Sequence, residues 1–111
     1  MRPVSWLNAA LRSFQEFPDD VRRQLAYGLD RAAEGGKAEN AKPLHGLEGG
    51  VFEIVANDRS GTYRAVYALK IGTDIWVVHA FQKKSVRGIK TPQREIDVIR
   101  ERIKRLRESL R

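Results

Sequence analysis

Four positions carry the chemistry this chain could do: Glu53, Arg64, Lys83 and Lys84. Arg64 stands inside the strand-like run "TYRAVYAL", on the same strand face as Thr62 and Val66. A guanidinium desolvated there must pair or bind an anion, because burying its charge alone costs several kcal/mol. Two partners fit. Glu53, the only carboxylate inside a predicted strand, offers an internal ion pair. A phosphate offers two oxygens that match the planar guanidinium fork.

Lys83 and Lys84 close the run "WVVHAFQKKS". Gathered with Arg64 on one sheet surface, these cations would stabilise the dianionic, five-coordinate state formed when a 2′-hydroxyl attacks the adjacent phosphate. Each cation also disfavours charge on its neighbour, which lowers a lysine pKa and lets that lysine move protons nearer neutrality. Adjacent strand residues point to opposite faces, so a regular strand delivers one of the two lysines to a site and leaves the other for flanking backbone. A solvated strand end is the plain alternative. Glu53 would act as a base or orient a cation.

The remaining candidates are weaker. His79 lies in an apolar strand and is expected to be a core histidine bonded to a backbone carbonyl. His45 sits in a glycine-rich loop. Trp76 and Phe81 belong to the core, although Phe81 at the strand end is also placed to stack on a base. With two histidines, no cysteine and no His/Asp/Glu cluster at helical ligand spacing, neither a metal site nor a cofactor is expected. There is no Gly-rich phosphate loop, no G-x-S-x-G and no thiol nucleophile.

The elements that must position these residues can be read from periodicity. Val4–Trp6 reads as a first strand. Leu7, Leu11 and Phe14 then recur at helical spacing, so a helix is expected from Asn8 to about Glu16. Pro18 suits the first position of a second helix, Asp19 and Asp20 its positive end, and Val21, Leu25, Leu29 and Ala32 its apolar stripe. "EGGKAENAKPLHGLEGG" reads as a loop. "GVFEIVAN", "TYRAVYALKI" and "IWVVHAF", separated by "NDRSG" and "GTD", read as three consecutive antiparallel strands. In the third, Ile75, Val77 and Phe81 are expected on one face and Trp76, Val78 and Ala80 on the other, which makes it an inner strand. After the loop "SVRGIK", Thr91 reads as N-cap and Pro92 as the first residue of a last helix. Its stripe is Ile96, Ile99, Ile103, Leu106 and Leu110. The expectation is one α+β domain over residues 1–111, ordered β-α-α-β-β-β-α, with helices packed on a small twisted, mainly antiparallel sheet.

The charge is unevenly placed. Residues 1–82 hold 10 Lys/Arg and 10 Asp/Glu, whereas residues 83–111 hold 11 and 4, so the whole net charge of +7 follows the third long strand. A concentrated basic segment points to nucleic acid, an acidic partner or an anionic membrane surface, with a solvated arginine-rich helix as the bland alternative. No apolar run approaches the length needed to span a bilayer and the N-terminus lacks a signal-peptide pattern, so a cytoplasmic protein is expected.

The ordered set "YRAVY", "HAFQKKS" and "KTPQREIDVIRERI", preceded by "FPDDVRRQLAYGLDRAAEG" and "AKPLHGLEGGVFEI", resembles the RelE/ParE superfamily of toxins. The nearest branch is the HigB-like, phage-derived group of type II toxin–antitoxin systems. The resemblance runs over essentially the whole chain. It implies a RelE-like fold and a metal-independent endoribonuclease that cuts mRNA, usually on the ribosome. It also implies a neighbouring antitoxin, often with a helix-turn-helix domain. The matching site residues are Arg64, Lys83, Lys84 and Glu53. Arg59, Arg87, Lys90 and Arg94 are expected to grip RNA backbone around them. Phe52 stands where the family's "W-E-L-R"-type strand has tryptophan, and Val55 where it has arginine. No tyrosine or histidine follows His79, so protonation of the leaving group falls to a lysine or to the ribosome. The alternatives are a ParE-type toxin that binds a protein such as gyrase, or an inactive nucleic-acid-binding relative.

Overall fold

In the computed structural model, which describes residues 1–83 and 90–111, five strands form one sheet in the order β1-β5-β4-β3-β2. The elements are β1 (Val4–Trp6), α1 (Asn8–Gln15), α2 (Asp19–Ala33), β2 (Ala41–Pro43), β3 (Val51–Asp58), β4 (Gly61–Ala68), β5 (Ile75–Lys83) and α3 (Gln93–Ser109). β1 runs parallel to β5, and the other neighbours are antiparallel. The expected order holds, with one strand added. β2 lies inside what reads as a loop, pairing Lys42 with Glu53 and Pro43 with Phe52. Three residues give no alternation to read, and the proline is tolerated because β2 is an edge strand.

The helices cover both faces of the sheet. Toward α1 and α2, Ala10, Val21, Leu25 and Leu29 pack on Ile54, Ala65, Tyr67 and Val77. Here α2 lies close on β3, since a Cβ at Gly28 would stand 2.8 Å from Ile54 Cδ1. Toward α3, Ile99, Ile103 and Leu106 pack on Val51, Val66, Val78 and Phe81. Leu110, expected to continue this stripe, falls beyond the end of α3 and is 49% exposed.

A register shift in β5 decides which residues reach the site. Tyr67 pairs with Val77 but Val66 pairs with His79, so one residue of β5 is inserted as a bulge. The insertion reverses the parity of everything after it. Phe81, expected beside Ile75 and Val77, instead joins Val66 and Val78 on the α3 face. Phe81 pairs with Arg64 and Lys83 with Thr62, which puts both β5 residues on the face that carries Arg64.

Both prolines sit one position earlier than expected. Pro18 and Pro92 are the N-cap residues of α2 and α3, each with extended ψ, and neither helix start has a side-chain cap. Thr91 does not cap α3, because its hydroxyl is taken by a buried carboxylate.

Candidate functional site

That carboxylate is Glu53, fully buried at 0% exposure. Cross-strand register places it: β3 sets Glu53 opposite Lys42 of β2 and Val66 of β4, and Arg64 stands one same-face step along β4. Glu53 Oε1 accepts a hydrogen bond from Arg64 Nη1 and lies 3.9 Å from Lys42 Nζ. Glu53 Oε2 accepts from the Thr91 hydroxyl at 2.6 Å, and Thr91 Oγ1 in turn accepts from Arg64 Nη1 at 3.4 Å. One carboxylate therefore ties β2, β3, β4 and the chain entering α3. Arg64 is itself 3% exposed, so of the two partners open to it the internal one is present. Of the five guanidinium donors, those on Nη1 meet the carboxylate and the Thr91 hydroxyl.

Lys83 closes the cluster from β5. Its pKa lies below the ordinary lysine value, chiefly because burial disfavours the ammonium, with the Arg64 and Lys42 charges adding to the effect and Glu53 opposing it. Lys42, Arg64 and Lys83 against Glu53 leave two net positive charges on one sheet face. That arrangement can hold an anion beside an amine whose proton is loosened.

His79 differs from expectation. It bonds side chains rather than a backbone carbonyl. Arg102 Nη1 donates to His79 Nδ1 at 3.1 Å, so the ring hydrogen is on Nε2, which donates to Glu95 Oε1 at 3.0 Å. Arg102 Nη1 also donates to the Val78 carbonyl at 3.0 Å. Burial, reinforced by Arg102, lowers the histidine pKa, and Glu95 only partly opposes it. The ring stacks on Phe81 at 4.9 Å, and Phe81 is 7% exposed, so Phe81 is core on this face.

Of the expected site residues, Glu53, Arg64 and Lys83 come together. Lys84 and Arg87 lie outside the described residues. Arg59 is at the exposed tip of the β3–β4 turn and Arg94 on the exposed first turn of α3. Lys90 is exposed and lines a furrow with Lys42 and Thr91. Lys42 and Thr91 themselves were hidden from sequence reasoning, one by the short edge strand and the other by its resemblance to a helix cap. Among the described residues, no group of His, Asp and Glu is placed to hold a metal ion. No helix among them is long and apolar enough to cross a membrane.

Comparison with known proteins bears on the fold. The family model described as phage-derived protein, Gp49-like, matches residues 12–104. No curated protein sequence matches. Among solved structures, a mutant of the E. coli toxin RelE in the free state superposes with a TM-score of 0.64 at 23% identity, covering 94% of this chain and 96% of that one. The intact E. coli RelBE toxin–antitoxin complex contains a chain matched with a TM-score of 0.58 at 22% identity, over 77% of this chain and 100% of that one. The isolated E. coli RelE toxin gives 0.58 at 21%, over 93% and 99%.

Proposed function

The chain belongs to the phage-derived Gp49-like family and has the RelE fold, and from this we propose that it is the toxin of a type II toxin–antitoxin pair. In this reading it is a metal-independent endoribonuclease that cuts mRNA on the ribosome in the cytoplasm and is neutralised by a cognate antitoxin of helix-turn-helix type. The observation that carries the reading is the convergence of Arg64 and Lys83 on one sheet face, with Glu53 holding the arginine.

The chemistry follows from that geometry. Arg64 binds the scissile phosphate through its guanidinium, which Glu53 holds in place. Glu53 is fully buried and bonded to Arg64 and Thr91, so it orients the guanidinium rather than acting as a base. Lys83, with its loosened proton, takes the proton of the 2′-hydroxyl. The 2′ oxygen bonds to phosphorus and the bond to the 5′ oxygen breaks. That leaves a 2′,3′-cyclic phosphate and a 5′ oxygen that receives a proton from Lys84 or the ribosome. Arg59, Arg87, Lys90 and Arg94 grip the flanking backbone.

The test is expression without a partner, followed by transcript-end mapping. Growth should arrest and discrete new 3′ ends should appear. Arrest without new ends would assign a protein target instead, and normal growth with abundant soluble protein would remove the toxin reading.

A further inference from the structure

A furrow runs along α3, walled by α3 and the segment from Lys42 to Glu48. It consists of two concavities of about 490 and 480 Å³, both lined by Arg100. Leu44 and Ile96 floor the first, and Leu47 and Ile103 the second. The cations are spaced for one helical face. Arg100, Lys104 and Arg107 recur at i, i+4 and i+7, and Arg111 follows just past the helix. Among the described residues, Glu48 and Glu108 are the carboxylates that line the second concavity, against those four cations.

Arg107 marks the furrow as more than a solvated helix face. Its Nε is buried, and among the described residues no acceptor meets it. A buried donor without an acceptor is rare in a folded protein and calls for a ligand or an explanation. Gly49, at φ +110°, lies beside the same guanidinium: a Cβ there would stand 3.2 Å from Ile71 Cδ1 and 3.4 Å from Arg107 Nη2.

Single-stranded nucleic acid and acidic protein both answer a row of cations, but the floor separates them. Surfaces for single-stranded nucleic acid set aromatic rings among the cations for bases to stack on. Among the described residues no Phe, Tyr or Trp lines either concavity; His45 is the one aromatic ring in the first, and the second, where the cations gather, has an aliphatic floor and no ring. We propose that the furrow docks an acidic, aliphatic-bearing segment of a partner protein. Its carboxylates lie on Lys104, Arg107 and Arg111, and its aliphatic side chains on Leu47 and Ile103. The inner end of the furrow is Lys42 and Thr91, which touch the carboxylate that holds Arg64. A segment filling the furrow therefore ends against the candidate phosphate site and screens it. Assigning that segment to an antitoxin rests on the toxin–antitoxin reading; the docking itself does not.

The test compares two labelled probes on the full chain by fluorescence anisotropy. One is a short synthetic peptide with Glu and Leu at helical spacing. The other is a short single-stranded RNA with 2′-O-methyl groups, which cannot be cleaved through its 2′ oxygen. Lys104→Glu/Arg107→Gln should weaken the peptide by about tenfold or more and leave the RNA within about twofold. Lys104→Glu/Arg111→Glu, changed only at exposed positions, should do the same and covers the case in which the Arg107 substitution unfolds the chain. A peptide that does not bind, or that binds both variants as well as the parent, overturns the proposal. So does an RNA that loses as much affinity as the peptide, since the furrow would then be a nucleic-acid track. None of these results depends on whether the chain cuts transcripts, which end mapping decides separately.

Discussion

The two faces of the sheet bury different things, although the same strands supply both. β3 turns Ile54 toward α1 and α2 and Glu53 toward α3; β4 turns Ala65 one way and Arg64 the other. The face toward α1 and α2 is a dry core of Val21, Leu25, Ile54 and Val77, all fully buried. The α3 face buries Glu53, Arg64, His79, Lys83 and Thr91 among its apolar residues. Alternation lets one sheet divide the work. One face supplies non-directional apolar burial. The other holds charges that are expensive to bury and that fix the geometry of a site.

The largest effects should come from breaking the charged face unevenly. Glu53→Ala leaves Arg64 buried against no carboxylate and should cost about 3–5 kcal/mol in denaturant unfolding. Replacing the pair together, as Glu53→Leu/Arg64→Met, should recover most of that loss and could exceed the parent by about 1–4 kcal/mol. RNA cutting should be abolished in both. A double variant as unstable as the single would mean that the pair itself holds the fold.

On the dry face the outcome should invert. Leu25→Ala should cost about 2–5 kcal/mol through a cavity, while the protein still folded at low temperature keeps its cutting activity per molecule. Loss of activity without loss of stability would erase the division between faces.

Smaller effects should appear as pH dependence. The folded pKa of His79 lies below its ordinary value of 6.5. As pH falls below that value, the unfolded chain takes up the proton more readily than the folded one, and stability declines toward the folded pKa. His79→Gln should remove that decline, measured as thermal midpoint against pH. Lys83 has the same sign at higher pH. Its folded pKa is depressed from 10.5, so the charged amine opposes folding at neutral pH and the opposition lifts as pH rises toward 10.5. Lys83→Met should therefore raise the thermal midpoint at pH 7 while removing activity.

Much of this division was legible in the sequence. Helical stripes such as Val21–Leu25–Leu29 and the three long strands announce themselves by period. The Glu53–Arg64 pair was one of two partners the sequence left open for Arg64. The β5 bulge was not legible, because inserting one residue into a run apolar on both faces but for His79 leaves no mark in a pattern without polar alternation. Yet that bulge turns Phe81 and Lys83 to the site face. β2 escaped for lack of length, and with it Lys42. Thr91 escaped because a threonine before a proline and a helix satisfies the cap pattern, whereas a buried carboxylate on another strand competes for its hydroxyl only in three dimensions.

The central claim is that the α3 face holds a phosphoryl site in which Lys83 moves a proton. Single-turnover cleavage of ribosome-bound mRNA, followed against pH for the parent and for a folded Lys83→Ala variant, tests it most directly. The parent rate should rise with pH and level off below the ordinary lysine value of 10.5, and the variant should lose both the rate and that rising limb. A variant that cuts at the parent rate with the same profile would contradict the claim and leave Lys83 a strand end.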